Sequence, residues 1–138
     1  MSKKTFIYFG IVLVFFAAAV PFVVLNSKGD ASAAGQEVPP SLKEGQELFE
    51  INCGTCHTLY AAGTDGNYGP DLDELLAPTG PPEGEKAAET IKSTKGRVLN
   101  AIENGINTEY PGRMPAGILN RMQAHEVAEF VAHVAGEG

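Results

Sequence analysis

The sequence predicts an all-α protein in which one N-terminal transmembrane helix precedes a small helical domain. Residues 5–25 form an uncharged, mostly apolar stretch of 21 residues. Later segments place apolar residues at helical spacing between recognisable caps. Outside the first stretch, apolar and polar residues do not alternate over four or more positions. We therefore expect a domain at residues 41–138 that contains helices and no strands.

The first element is the apolar stretch at residues 5–25, which is long enough to span a bilayer. Lys3 and Lys4 precede it, and the positive-inside rule places such charges on the cytoplasmic side. The prediction is an anchor at residues 1–25, with the rest of the chain outside the cytoplasmic membrane. The alternative is a signal peptide cleaved after Ala33. The apolar stretch exceeds the usual signal-peptide length of about 7 to 15 residues, which favours a retained anchor.

Residues 26–40 are rich in Gly, Ser and Pro and show no apolar periodicity. This composition predicts a flexible linker. A linker of this length averages roughly 20 Å from end to end. It would hold the following domain close to the membrane surface and raise its effective concentration there.

A helix is predicted to begin at a capping box, Ser41 to Glu44, and to lead into Cys53-x-x-Cys56-His57. The chain has no other cysteine. C-x-x-C-H is the attachment signature of a c-type haem. Two thiols at this spacing lie on one face of a helical turn, where each can form a thioether with a haem vinyl group. The sequence therefore predicts one covalent haem c, with His57 as an axial iron ligand.

Three other interpretations of this motif remain. A thioredoxin-like redox pair would need a βαβ context, which the sequence does not show. A structural zinc site needs about four ligands, and only His125 and His133 remain outside the motif. A disulfide between cysteines two residues apart would close a strained loop that adds little stability.

The predicted second axial ligand is Met114, in a loop bounded by glycines. Pro115 biases Met114 away from helical conformation. A thioether is a soft ligand that favours the reduced iron and raises the potential. Met1 precedes the membrane segment, and Met122 lies in the first turn of a predicted helix, where methionine is usually core filler.

Together these features resemble the class I cytochrome c family, which has one haem with His/Met ligation, in a membrane-anchored bacterial form. The resemblance covers roughly residues 41–136. Gly45 and Phe49 match the family's glycine and aromatic positions before the haem motif, and Gly-Pro-Asp-Leu at residues 69–72 resembles its G-P-x-L. The resemblance implies a cytochrome c fold in which the carbonyl of Pro70 accepts a hydrogen bond from the axial histidine.

The remaining predicted helices follow from local signals. Acidic residues at 71–74 suit the first turn of a short helix. Residues 98–104 have helical spacing and stop at a Gly, and a separate short helix is predicted at 87–92. A second capping box opens a final helix at residues 120–135. The family resemblance implies that this helix crosses the first one near Gly45.

The haem propionates have no obvious partner in the sequence. The family often places a tryptophan or arginine there, and this chain has no tryptophan. Four residues can donate a hydrogen bond to a carboxylate and are candidate contacts, although each also suits a surface position: Tyr68, Arg97, Tyr110 and Arg113.

The formal net charge of −7 argues against a nucleic-acid partner. Acidity could steer the protein to a basic patch on a redox partner, or it could serve solubility alone. The resemblance implies an electron-transfer protein rather than an enzyme. Its expected partners are a quinol-oxidising complex, a terminal oxidase, a reaction centre or a dehydrogenase.

Two other functions remain open from the sequence. The chain could be a fixed haem-bearing subunit of a larger respiratory or photosynthetic complex, which would change the partner geometry but not the chemistry. It could instead be a haem gas sensor or peroxidase with an open iron site. That function requires a distal acid or base, and neither His125 nor His133 lies in a recognisable distal motif.

Overall fold

The computed structural model describes Tyr8, Gly10 and residues 12–15, 36–107 and 112–138. The chain divides into two compact units, Met1–Ser32 and Ala33–Gly138. The described residues of the first unit are helical. Most of the predicted membrane span lies outside the described residues, as do the predicted cleavage site and residues 26–35 of the predicted linker. Within the described part of the chain, no helix is both long and apolar enough to cross a membrane.

The second unit is built mainly from four helices: α1 at Lys43–Asn52, α2 at Leu72–Leu76, α3 at Ala87–Asn104 and α4 at Arg121–Val134. Two short 3₁₀ helices lie at Tyr60–Ala62 and Gly84–Lys86. The separate helix predicted at residues 87–92 is the first part of α3, which continues without a break. As predicted, α3 ends before Gly105, whose φ of 69° would be strained for most other residues.

The expectation that the domain has no strands is wrong. Strands β1, Thr58–Leu59, and β2, Thr64–Asp65, form one antiparallel pair. Strands β3, Ile106–Asn107, and β4, Arg113–Met114, form a second pair in which Ile106 lies opposite Met114. Each strand has only two residues, which is too short to produce the alternating pattern by which strands are recognised in a sequence.

The two predicted capping boxes have different outcomes. At α4, the side chain of Asn120 accepts a hydrogen bond from the Gln123 N–H at 3.0 Å, and the Asn120 N–H donates to the Gln123 side chain at 3.1 Å. That capping box is confirmed. The box predicted from Ser41 is wrong, because the N-cap is Leu42 and it makes no side-chain cap. Leu42 is buried, and its N–H donates to the Pro39 carbonyl at 2.8 Å to close a turn before the helix.

The core of the domain forms where α1 and α4 pack together. A Cβ added at Gly45 would lie 2.7 Å from the Cβ of Phe130, so only glycine permits this separation between the helices. The rings of Phe49 and Phe130 meet edge to face, with centroids 6.1 Å apart. Helix α3 packs on the same helix α4, and Lys95 of α3 forms an ion pair with Glu129. The crossing near Gly45 that the family resemblance implies is therefore present.

Residues before α1 are held against the domain by Gln46, whose side chain is buried. Its amide donates to the carbonyls of Gln36 and Ala61, at 3.0 and 2.8 Å. The Gln36 N–H also donates to the Ala61 carbonyl at 3.1 Å, and Val38 packs against the core. The described end of the predicted linker therefore contacts the domain.

Helix α2 begins with the acidic residues expected for its first turn. The side chain of Asp71 accepts hydrogen bonds from the N–H groups of Asp73 and Glu74. The buried carboxylate of Asp73 in turn accepts hydrogen bonds from Tyr60 N–H at 2.8 Å and Gly136 N–H at 2.7 Å. One side chain thus joins α2 to the segment after the cysteine motif and to the end of α4.

Candidate haem site

The cysteine motif lies where α1 ends and the chain tightens into a turn. Cys53 is the C-cap of α1, and its N–H donates to the Phe49 carbonyl. The carbonyl of Cys53 accepts hydrogen bonds from the N–H groups of Cys56 and His57, at 3.0 and 2.9 Å. This turn places Cys53, Cys56 and His57 within one segment of five residues. Both thiols are free in the structure, and no disulfide joins them.

Strands β1 and β2 fold back over this turn and hold it in place. The Thr64 hydroxyl donates to the His57 carbonyl at 3.0 Å, and the Thr58 hydroxyl donates to the Gly66 carbonyl at 3.0 Å. A Cβ at Gly66 would lie 2.7 Å from the Cys56 nitrogen. Thr64 and Gly66 were not predicted from the sequence, because a threonine and a glycine in a loop carry no signal until the pairing of the two strands is known.

The ring of His57 is oriented by the segment that follows β2. Its Nδ1 lies 2.9 Å from the carbonyl oxygen of Pro70. A carbonyl only accepts hydrogen bonds, so Nδ1 carries the proton and Nε2 keeps its lone pair. An iron ligand requires this tautomer. Gly69 lies directly against the ring and is held there by a 2.7 Å hydrogen bond from its N–H to the Cys56 carbonyl.

Burial and the neighbouring Cys56 raise the pKa of the Cys53 thiol to about 11. Cys53 is thus a neutral thiol at neutral pH. The described residues hold no group of three or more His, Cys, Asp or Glu side chains that could bind a metal ion. His125 is exposed, and the Nδ1 of His133 lies 2.8 Å from the Glu129 carbonyl within α4.

Met114 lies in β4 and is half-buried, with its side chain packed against the hydrophobic core. It pairs with Ile106, and its carbonyl oxygen would lie 2.7 Å from a Cβ added at Gly105. Met122, interpreted from the sequence as core filler, is instead 78% exposed in the first turn of α4. Met1 lies outside the described residues.

Three of the four candidate propionate contacts lie among the described residues. Arg97 is exposed on α3, and Arg113 is exposed in β4. Tyr68 is 56% exposed, and its ring lies against Gly112, the residue before Arg113. Tyr110 lies outside the described residues.

The residues present fit a c-type haem. Two free thiols lie at the attachment spacing on one turn, and the histidine beside them has its Nε2 available for iron. Gly69 leaves the space beside the imidazole that any side chain would fill, since a Cβ there would lie 2.8 Å from Nδ1.

Comparison with known proteins agrees with this geometry. Residues 42–135 match the model of the cytochrome c family. Among solved structures, the chain is similar to the c-type cytochrome SorU from Sinorhizobium meliloti, with 35% sequence identity and a TM-score of 0.50. That match covers 70% of this chain and 92% of SorU. A comparison with curated protein sequences gives no match. The family match spans well over half of the sequence, and the chain therefore belongs to the cytochrome c family.

Proposed function

We propose that this protein is a one-electron carrier with a single haem c, bound covalently through Cys53 and Cys56 and ligated by His57 and Met114. Membership of the cytochrome c family implies haem-based electron transfer in general. The proposed ligation by His57 is supported by the contact between its Nδ1 and the Pro70 carbonyl. This contact keeps the proton on Nδ1, so Nε2 is the atom that would bind iron. The single C-x-x-C-H motif supports one haem.

The haem, when bound, supplies reversible exchange of one electron at its iron. The residues of the chain determine how readily that exchange occurs. The Pro70 carbonyl holds the proton on His57 Nδ1 and so increases the basicity of Nε2. The Met114 thioether would be the second protein ligand and would favour the reduced state, which raises the reduction potential. If both side chains hold the iron, electron transfer would need no exchange of ligands.

The absorption spectrum of the purified holoprotein tests this ligation. A weak far-red band in the oxidised protein, and no reaction of the reduced protein with carbon monoxide, are the expected results. The variant Met114→Ala should lose the band and bind carbon monoxide. Met122→Ala is the matched control, because Met122 is exposed and should leave both properties unchanged. A wild-type protein that lacks the band and binds carbon monoxide readily would instead support a sensor or peroxidase.

We also propose that residues 1–25 anchor the carrier to the cytoplasmic membrane with its haem domain on the outer face. The uncharged stretch at residues 5–25 and the preceding Lys3 and Lys4 support this. Full-length protein should sediment with membranes and remain there after a high-salt wash, whereas a variant that begins at Gln36 should be released. Mature protein with an N-terminus at residue 34 would show cleavage and overturn the anchor.

The proposed partners are redox proteins of the membrane or the periplasm: a quinol-oxidising complex, a terminal oxidase, a reaction centre or a dehydrogenase. Purification in mild detergent distinguishes a shuttle from a fixed subunit. A carrier that shuttles between partners should purify alone as a haem protein. Stoichiometric co-purification with a large complex that survives dilution would identify a fixed subunit.

A further inference from the structure

The segment Tyr68–Pro70 contacts both the His57 ring and the segment before Met114. Gly69 and Pro70 face His57, through the close approach of Gly69 to the ring and the hydrogen bond at Nδ1. The preceding residue, Tyr68, contacts a different part of the chain. Its ring lies against Gly112, two residues before Met114. Three consecutive residues therefore link the histidine to the segment that carries the methionine.

The contact between Tyr68 and Gly112 is close. A Cβ added at Gly112 would lie 2.6 Å from Cζ and 2.8 Å from the hydroxyl oxygen of Tyr68. Real Cβ atoms do not approach other atoms so closely, so the ring occupies the space that a side chain at Gly112 would need. A side chain at Gly112 would therefore displace the Tyr68 ring.

Tyr68 is not a core residue, since 56% of it is exposed. Removing its ring would therefore leave no large cavity in the domain. Within the described residues, β4 pairs with β3 over two residues, Met114 packs against the hydrophobic core, and Gly117 N–H donates to the Ile102 carbonyl at 3.1 Å. The Tyr68 ring adds a contact at Gly112, next to the first residue of this strand.

We propose that Tyr68 is a positioning residue for Met114, which it holds at the haem iron by packing its ring on Gly112. This inference rests on the proposed His57/Met114 ligation and adds the residue that maintains it. It also assigns Tyr68 a role that depends on its ring. A hydrogen bond to a haem propionate, the role considered from the sequence, would depend on the hydroxyl group.

Four variants of the holoprotein test the proposal, with the far-red band and carbon monoxide binding as readouts. Tyr68→Ala removes the ring, and Gly112→Ala displaces it. Each should weaken the band and increase the affinity of the reduced protein for carbon monoxide by about tenfold, which corresponds to about 1.4 kcal/mol. Tyr68→Phe keeps the ring and should match the wild type. Tyr60→Ala removes a tyrosine of similar exposure, 53%, and should leave both readouts unchanged.

The double variant Tyr68→Ala/Gly112→Ala provides the sharpest comparison. Truncation of Tyr68 removes the three atoms nearest to the added Cβ, so the double variant should behave like Tyr68→Ala alone. Such non-additivity is expected of residues in direct contact. Additive effects would overturn the proposal, and so would a Tyr68→Ala protein with a normal band. A change in Tyr68→Phe as large as that in Tyr68→Ala would show that the hydroxyl group acts instead.

The wild-type spectrum separates failure of this inference from failure of the proposed function. If the wild type itself lacks the far-red band, the His57/Met114 ligation is wrong and Tyr68 has no methionine to position. If the wild type shows the band and the ring variants keep it, only the role of Tyr68 is wrong. Far-ultraviolet circular dichroism of each variant checks that the helices are retained.

Discussion

Among single residues, Gly69 leaves no room for a side chain beside the imidazole of His57. A Cβ there would lie 2.8 Å from Nδ1 and 3.0 Å from Nε2. Gly69→Ala should therefore push the ring away from the Pro70 carbonyl and destabilise the holoprotein by about 1–3 kcal/mol, as overpacking usually does. Thermal unfolding measures the loss of stability, and a shift of the haem absorption bands reports the change at the ligand.

Gly96 provides the matched control for this substitution. It lies within α3, and a Cβ added there would meet no atom within 4 Å. Gly96→Ala should stabilise the protein by about 1 kcal/mol, because alanine has the higher helix propensity. Equal destabilisation by the two substitutions would contradict a specific role for Gly69 beside the histidine.

Among the structural elements, the segment before α1 depends on the buried amide of Gln46. Gln46→Ala removes the hydrogen bonds to the Gln36 and Ala61 carbonyls and should lower the free energy of unfolding by about 1–3 kcal/mol. The Gln36 amide should also exchange its hydrogen faster, because the segment would detach more often. Chemical denaturation and hydrogen exchange measure the two effects.

Gln36→Ala is the control for Gln46→Ala, because it also replaces a glutamine side chain with alanine. The backbone N–H and carbonyl of residue 36 keep their contacts in this variant. It should leave both measurements unchanged. Unchanged hydrogen exchange in Gln46→Ala would show that other contacts hold the segment. This attachment matters for the proposed tether, because Gln36 in the predicted linker is bonded to the domain.

The ion pair between α3 and α4 makes their packing sensitive to acid. The hydrogen bond from Lys95 lowers the pKa of Glu129 below its usual 4.5, with His133 and His125 adding smaller effects of the same sign. The folded state therefore favours the charged carboxylate. Its contribution to stability is present above about pH 4.5 and is lost as the pH falls through the lowered pKa.

The variant Glu129→Gln tests this direction of the pH dependence of stability. The variant should be less stable than the wild type near neutral pH, and the difference should shrink as the pH falls below 4.5. Urea denaturation at a series of pH values measures it. Glu103→Gln, on the exposed face of α3, controls for the change in net charge. A difference that is constant with pH would show that the carboxylate charge contributes nothing.

Elements were predictable from the sequence where their signals are local. The capping box at Asn120 and the end of α3 at Gly105 involve only neighbouring residues, and both are present. The start of α1 was not predictable in the same way, because burial of Leu42 in the core takes the place of a hydroxyl cap. The two-residue strands depend on pairing across loops, which leaves no pattern in the chain.

In the whole molecule, the parts of the site that were predictable are again those whose residues lie close together in the sequence. Covalent haem attachment imposes a short spacing, so Cys53, Cys56 and His57 stand out in the sequence. The contact between His57 and Pro70 was inferred from family resemblance and not from the residues themselves. The contact of Tyr68 with Gly112 joins positions 44 residues apart. It depends on how the loops pack, so the sequence alone does not predict it.

The domain should depend on its haem for stability as a whole. Its largest fully buried side chains are Phe49, Phe130, Leu59, Val127 and Val131, a small core for about 100 residues. The variant Cys53→Ala/Cys56→Ala cannot form the thioethers, so it should lose most of its helical circular dichroism and its cooperative thermal unfolding. Haem added back should bind through His57 and restore part of the signal, because a ligand that binds only the folded state stabilises it. An apo variant as helical and as cooperative as the holoprotein would show that the protein core is sufficient alone.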